Sequence, residues 1–278
     1  MMFSVSIRSV RTRLFVLISA AALLSTGYGL QAQPSTEEVI AKAREYLGGD
    51  EALNAVHSLY FRGTFETADG VEGEVEIMFK KPLFQRVKTI RDDITEVTAL
   101  SYYDGWRKIT QRDDEANWTI VFLDAGQIRE LQANTWENLN FFQGIERRRG
   151  RIVNDGLAEV DGHSCVKLTF GHPGGIYFVR YFDAETGQLR LTEASGGGQI
   201  REEGIQEVAG IRFPETIIMM QDDNELNRIH FTEIEVNREF DAELFDVPSM
   251  APSGSDGGRP RIEDSDDPLL DLPSPIEP

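Results

Sequence analysis

The feature that most constrains this chain is a hydrophobic alternation with a period of two, repeated in short runs between turns. In residues 71–81, VEGEVEIMFKK, the apolar side chains of Val75, Ile77 and Phe79 alternate with charged residues. Successive side chains of a strand point to opposite faces, so this spacing is typical of a sheet with one buried face. This alternation therefore predicts an antiparallel β fold.

About a dozen such strands are predicted by the same pattern, with Gly, Pro and Asp in the connections. The first begins at His57, where Leu59, Phe61 and Phe65 share one face. A change of parity between Phe231 and Ile234 predicts a bulge in the last strand. Besides 71–81, the later predicted strands are residues 94–103, 106–111, 117–123, 152–160, 163–171, 175–183, 187–194, 198–208, 211–221 and 226–236.

Two segments follow helical spacing instead. Residues 35–47 have Ser35 and Glu38 at the spacing of a capping box, and Gly48-Gly49 follows as a stop. Residues 124–142 repeat apolar side chains at helical intervals, which predicts one or two helices in the middle of the chain.

A sheet of this many strands cannot stay flat, because the twist between strands accumulates and curls it. The predicted fold is mostly β (α+β), with a single strongly curved antiparallel sheet forming an open or half barrel. The N-terminal helix and a helical lid, residues 124–142, would cover its apolar concave face. At the end of the domain, Phe240 and Phe245 would clamp a short turn capped by Asp241, and Pro248 would end it.

The first 32 residues are predicted to be a signal peptide. Three arginines precede an apolar stretch, Leu14–Leu24, and the small residue Ala32 offers a cleavage site. The alternative is a membrane anchor, but a spanning helix needs about 20 apolar residues. Because no cysteine lies near the cut, lipidation there is not expected. We therefore expect an exported, periplasmic protein that is not a lipoprotein.

Residues 249–278 are rich in proline and acids and poor in aromatic and β-branched side chains. Such a segment cannot bury enough apolar surface to offset its ordering entropy, so a disordered acidic tail is predicted. The remaining residues, 33–248, are of a length that suits one domain.

The formal net charge of the chain is −19. Nucleic acid and anionic membrane surfaces are therefore not expected as partners, since both attract Lys and Arg clusters. Cys165 is the only cysteine, which excludes an intramolecular disulfide. A monomer held together by its core is expected.

Motifs of catalysis were not found in the sequence. The histidines lack H-E-x-x-H spacing and there is no cysteine pair for zinc. Residues 193–199, EASGGGQ, do not have the order of a nucleophile elbow. No catalytic residue, metal or cofactor is predicted, and the protein is not expected to be an enzyme. Carboxylates brought together from different strands, as in glycoside hydrolases, remain an alternative.

The bulky apolar side chains are the strongest functional signal. A barrel of eight or more strands can enclose a ligand cavity where its side chains leave room, and core packing is the alternative for each residue. The candidates for lining an apolar cavity are Phe61, Phe65, Val75, Ile77, Phe79, Trp106, Trp118, Phe122, Leu131 and Phe142.

This outline resembles the LolA/LolB-like family of outer-membrane lipoprotein-sorting proteins and the related RseB-type regulators. The resemblance rests on AREYLGGDEALNAVHSLYFRGTF (43–65), SYYDGWRKIT (101–110), YFDAETGQLRLTE (181–193), GIRFPETI (210–217) and FTEIEVNREFDAELFDVP (231–248). It implies an eleven-strand half barrel, lidded by helices, that holds acyl chains. It also implies a lid-closing arginine on an early strand, a role that the sequence assigns to neither Arg62 nor Arg86.

The resulting hypothesis is a soluble carrier or chaperone that binds acyl chains of lipoproteins or other amphiphilic ligands. An envelope sensor of the RseB type, which would add a protein partner, is the first alternative. A secreted hydrolase is the second.

Overall fold

The computed structural model describes residues 33–111 and 114–248. Fifteen strands are present in these ranges, and thirteen of them form one antiparallel sheet. The strands are β1 (Ser58–Thr67), β2 (Glu72–Lys80), β3 (Phe84–Arg91), β4 (Ile94–Ser101), β5 (Asp104–Gln111), β6 (Asp114–Phe122), β7 (Arg151–Val160), β8 (His163–Gly171), β9 (Tyr177–Asp183), β10 (Leu189–Ala194), β11 (Gly198–Glu203), β12 (Gln206–Val208), β13 (Ile211–Phe213), β14 (Thr216–Gln221) and β15 (Asn224–Val236).

The large sheet does not close into a barrel. Its strand order is β6-β5-β4-β3-β2-β1-β15-β14-β11-β10-β9-β8-β7, so the first and last strands of the order are edges. Pairing of β1 with β15 joins the two halves of the chain in the middle of the sheet. The predicted single antiparallel sheet in an open half barrel is confirmed.

Three α-helices accompany the sheet: α1 (Thr36–Leu47), α2 (Asp50–Asn54) and α3 (Ala125–Asn140). The predicted capping box of α1 is present, with the Ser35 side chain accepting a bond from the Glu38 backbone N–H. The lid segment is one helix, which ends where Phe141 adopts a left-handed conformation. No helix in the described ranges has the length and apolar character needed to span a bilayer.

The faces of the sheet follow from the register, because directly paired residues project from the same face. Phe61 pairs with Ile77 on one side and with Ile234 on the other. Pairing carries this face from Phe79 through β3 and β4 to Gly105. A Cβ added at Gly105 would lie 3.0 Å from Ile128 of α3, so this is the concave face that the lid helix covers.

One prediction about the strands needs correction. The predicted strands 198–208 and 211–221 are each interrupted, and their inner parts form the separate hairpin β12–β13. Gly204 turns the chain with φ +69° and Pro214 follows the return strand. The hairpin brings Ile211 and Phe213 into the main core, so it adds a second cover to the concave face.

The end of the domain agrees with the sequence. The register of β15 shifts opposite Arg62 and Gly63, which is the predicted bulge. Asp241 caps a short 3₁₀ turn, and the rings of Phe240 and Phe245 pack edge to face at 6.2 Å. The indole N–H of Trp106 donates to the Phe245 carbonyl at 3.1 Å. This clamp lies on the convex face.

The lid helix depends on its N-cap. Asp124 accepts hydrogen bonds from the backbone N–H groups of Gly126 and Gln127 at 2.7 and 2.9 Å. We expect Asp124→Ala to lower the free energy of unfolding by about 1 kcal/mol, since those donors lose their acceptor. Urea denaturation measures this, and Glu130→Ala on the exposed side of the same helix serves as the control. Equal stability of the two variants would contradict the role of the cap.

Candidate functional site

A cavity of about 290 Å³ lies on the concave side of the sheet. Residues of α3 and of the hairpin β12–β13 border it together with strands from both halves of the sheet. This volume is at the lower end of the range of about 300–1,000 Å³ for small-molecule pockets. The space therefore suits one slender ligand.

Most of the cavity wall is apolar. Phe61 lines it, and the ring centres of Phe231 and Phe213 lie 5.1 and 5.7 Å from that of Phe61. Aromatic rings prefer tilted and edge-to-face contacts of this kind, which hold these rings in place in an apolar wall. The apolar lining residues are Leu47, Leu59, Phe61, Ile77, Phe79, Phe141, Phe142, Phe178, Leu189, Ile200, Ile205, Phe213, Pro214, Ile217, Met219, Ile229 and Phe231.

The end of the cavity near α3 is polar. Glu137 of α3 is buried, and its Oε1 lies 2.8 Å from Nε2 of His172. Its Oε2 accepts a hydrogen bond from Nη1 of Arg180 on β9. Burial raises the pKa of Glu137, but the positive charge of Arg180 and the two hydrogen bonds lower it further, so the net shift is downward. Glu137 is therefore ionised at neutral pH, and both its oxygens are engaged.

Arg180 is held by aromatic rings as well as by Glu137. Its guanidinium lies 4.8 Å from the ring centre of Phe170 and 5.1 Å from that of Phe142. Such contacts favour a buried cation and set the plane of its fork. The Nε atom of Arg180 is buried and has no hydrogen-bond partner among the described residues.

Glu202 of β11 lines the same cavity. Pairing places Arg180 opposite Thr192 and Thr192 opposite Ile200, which lies two residues before Glu202 on the same face. Glu202 is solvent-exposed by its accessible surface, yet it borders the cavity on the concave side of the sheet, where surrounding protein atoms disfavour its charged form. Burial accordingly raises its pKa to about 7, although the positive charge of Arg180 opposes the shift. No side chain in the described ranges donates a hydrogen bond to this carboxyl group.

Arg44 of α1 binds the C-terminal end of the lid helix α3. Its Nη1 donates to the carbonyl oxygens of Phe141 and Asn140 at 2.9 and 3.3 Å, where α3 ends. Its Nε and Nη2 bind Asp50 and Asn54 at 2.5 and 2.9 Å. The unpaired carbonyl groups at a helix end need such donors, so Arg44 joins α1, α2 and α3.

Six of the predicted cavity residues lie on or beside the concave core. Phe61, Ile77, Phe79 and Phe142 line the cavity. Val75 is buried in the core next to it, and Phe65 packs against the same core.

The other four lie elsewhere. Trp106 pairs with Phe122 on the convex face, where Trp106 is buried and Phe122 is 58% exposed. Trp118 shares that face and stacks on Lys108. Leu131 of α3 borders a neighbouring cavity of about 320 Å³. The alternation identified two faces in strands β5 and β6, but only the register across the sheet tells which one is concave.

Sequence reasoning missed the polar residues Glu137, Arg180 and Glu202. The usable signal was small: Glu137 stands two residues before the buried Leu139, and Arg180 lies between Phe178 and Phe182 in an apolar strand. A charged residue at such a position is buried only if it is paired, and its partner lies far away in the sequence.

Neither early arginine faces the cavity. Arg62 lies on the convex face, where its guanidinium is 3.1 Å from Glu76, and Arg86 pairs with Met78 on that same face. Within residues 33–111 and 114–248, no group of three or more His, Cys, Asp or Glu is placed to hold a metal ion.

No family model and no curated protein matches the sequence. Solved structures match in fold. A LolA superfamily protein from Nitrosomonas europaea has a TM-score of 0.52 at 12% identity, covering 77% of this chain and 98% of the other. A DUF1329 family protein from Desulfovibrio piger has a TM-score of 0.51 at 9% identity, covering 76% and 96%. A domain assigned to outer-membrane lipoprotein sorting from Vibrio parahaemolyticus has a TM-score of 0.50 at 10% identity, covering 75% and 95%.

At identities this low the matches show a common fold, and they agree with the fold that the resemblance to the LolA/LolB-like family implied. Nearly the whole of each solved chain is covered by the match. This chain therefore shares its fold with these three solved structures.

Proposed function

We propose that the protein is an exported carrier or chaperone that binds the hydrocarbon chain of a lipid, a lipoprotein or another amphiphile in the cavity of about 290 Å³. The observation that carries this proposal is the apolar lining of a space bordered by the sheet, the lid helix and the hairpin. Binding is by burial, without bond-making. Each methylene group removed from water contributes about 0.8 kcal/mol, so a chain of about a dozen carbons supplies on the order of 10 kcal/mol before association costs.

The test uses an uncharged fluorescent probe, N-phenyl-1-naphthylamine, so that the result does not depend on a head group. We expect saturable binding to the parent protein. Met219→Trp should weaken it at least tenfold, because Met219 lines the cavity and the larger indole fills space there. Fluorescence titration measures both affinities.

Met220→Trp is the matched control. Met220 is the next residue of β14, equally half-buried, and its side chain projects from the other face. Parent-like binding by this control, with both variants folded by circular dichroism, separates the cavity from general effects. Equal binding by the two variants, or no saturable binding by the parent, would refute the carrier proposal.

A regulatory binding module of the envelope, with a protein partner that responds to the ligand, is the second candidate. The observation that favours it is the edge strand β6, where Val121 and Phe122 expose apolar side chains beside unpaired backbone groups. Such an edge can accept a strand from another chain. Capture of one specific envelope regulator, lost when Phe122 is changed to Ser, would favour this candidate.

A further inference from the structure

The polar end of the cavity contains a buried donor that lacks an acceptor in the protein. The Arg180 side chain is 9% accessible, and its Nε has no hydrogen-bond partner among the described residues. Glu137 already holds Nη1, so the guanidinium cannot turn to satisfy Nε without breaking that bond. Buried donors are nearly always paired in native structures. Arg180 lines the cavity, so a ligand bound there is placed to supply the missing acceptor.

The charges around Glu202 define which acceptor fits. Arg180 and Glu137 form an ion pair, so their charges offset each other. Arg212 also lines the cavity and contributes one positive charge.

Tyr46 also lines the cavity and stays neutral because burial raises its pKa, and the nearby Arg190 and Asp183 form an ion pair with each other. With Glu202 protonated, one singly charged anion completes neutrality. A phosphate monoester would bring more negative charge than the wall compensates.

We propose that the cavity binds a single-chain amphiphile with a carboxylate head, a ligand of the fatty-acid class, whose head lies between Arg180 and Glu202. This inference rests on the proposed function, because the hydrocarbon chain occupies the apolar part of the cavity. Arg180 Nε donates to one carboxylate oxygen, and the protonated Glu202 donates its O–H to the head group. The small cavity favours one chain over several.

The same arrangement makes binding depend on pH. Glu202, with a pKa of about 7, is mostly protonated at pH 6 and mostly ionised at pH 8. Its ionised form has no proton to donate and repels the carboxylate. If only the protonated form accepts the ligand, the dissociation constant rises about tenfold from pH 6 to pH 8. Affinity is therefore retained below the pKa of Glu202 and lost above it.

The experiment compares ligands with the same chain and different heads. Isothermal titration calorimetry of the full chain with dodecanoate, dodecanol and dodecyltrimethylammonium, below their micelle concentrations, is done at pH 6 and pH 8. We expect dodecanoate to bind more tightly at pH 6 by about tenfold, and dodecanol to bind equally at both values. Tighter binding of the cation at pH 8 than of dodecanoate at pH 6 would overturn the assignment of the head group.

Variants assign the effect to residues. Glu202→Gln keeps a donor at every pH, so dodecanoate binding should become independent of pH. Glu203→Gln, the neighbouring acid paired with Arg228 on the other face, is the control and should behave like the parent. A pH dependence that persists in Glu202→Gln would overturn the role of Glu202.

Arg180→Lys keeps a positive charge beside Glu137 and removes Nε. Dodecanoate should bind about tenfold more weakly, which corresponds to the loss of one charge-assisted hydrogen bond, while dodecanol is unchanged. An equal loss for both ligands would reduce Arg180 to a structural role. If dodecanol and dodecanoate bind alike throughout, the head assignment fails and the carrier proposal stands. If neither binds, both fail.

Discussion

Replacing Arg180 by leucine is expected to lower the free energy of unfolding by about 3–5 kcal/mol at pH 7, because it leaves the charge of Glu137 buried without its partner. The two side chains are 9% and 4% accessible, so water cannot take over the interaction. Removing Arg180 also removes the cation that the rings of Phe142 and Phe170 surround. Urea denaturation followed by circular dichroism measures the loss.

A second substitution tests the cause. In Arg180→Leu with Glu137→Leu, no carboxylate remains to be solvated, and most of the lost stability should return. Arg201→Leu is the matched control, since Arg201 forms a half-exposed ion pair with Asp161 whose contribution is at most about 1 kcal/mol. A double variant no more stable than the single one would show that lost packing, and not the unpaired charge, explains the effect.

The pH dependence of Arg180→Leu has a definite sign. Without the nearby cation, we expect burial to outweigh the remaining interaction with His172 and to raise the pKa of Glu137 in the folded state above its unfolded value. A group with a raised folded pKa contributes its stability below the unfolded pKa and loses it as pH rises through the folded pKa. The difference in stability between the parent and Arg180→Leu should therefore be smaller at pH 5 than at pH 7.

The wall of the half barrel could be predicted from the sequence because its causes are local. Alternation in residues 71–81 and the turn residues between runs specify strands without knowledge of their neighbours. The Ser35–Glu38 box and the bulge before Ile234 were also visible in short segments. Strand twist then implies the curvature of a long sheet.

The hairpin β12–β13 could not be predicted, because its strands have ordinary strand spacing. Its tip contacts the glycine break after α1, away from the main sheet. A Cβ at Gly48 would lie 2.1 Å from the Gly210 carbonyl oxygen, so the two backbones touch. This contact joins segments that are more than 150 residues apart. Its only signal in the sequence is the pair of glycines that form it.

The polar end of the cavity was hidden for a related reason. Glu137 and Arg180 meet only after α3 has docked on the concave face and β9 has been placed by its register with β8 and β10. Each looks like an ordinary surface charge in its own segment. Trp106 was misplaced for the same reason. The alternation of its strand was predicted correctly, but the register with the strands on either side determines that Trp106 faces the convex side of the sheet.

Arg44→Met is expected to lower the free energy of unfolding by about 4 kcal/mol, because four hydrogen bonds of a buried guanidinium are lost at once. The Phe141 carbonyl accepts its bond from Arg44 in a buried position, and leaving it unsatisfied costs about 1–3 kcal/mol. Asp50 is largely exposed and will be solvated when its partner is removed. The effect should therefore concentrate at the end of α3, which borders the cavity.

A second consequence follows from this location. In Arg44→Met the end of the lid helix α3 is held less firmly, so the lid excludes water from the cavity less well. Hydrogen exchange of the last turn of α3 should accelerate more than that of β1, and binding of N-phenyl-1-naphthylamine should weaken in the same variant. Lys42→Met on the same helix is the control: Lys42 is exposed and makes one bond, to the Ala184 carbonyl at 2.8 Å. Its loss should be below about 1 kcal/mol. If both variants lose the same stability, or if exchange increases uniformly, Arg44 does not anchor the lid, and the closure of the cavity depends on the sheet alone.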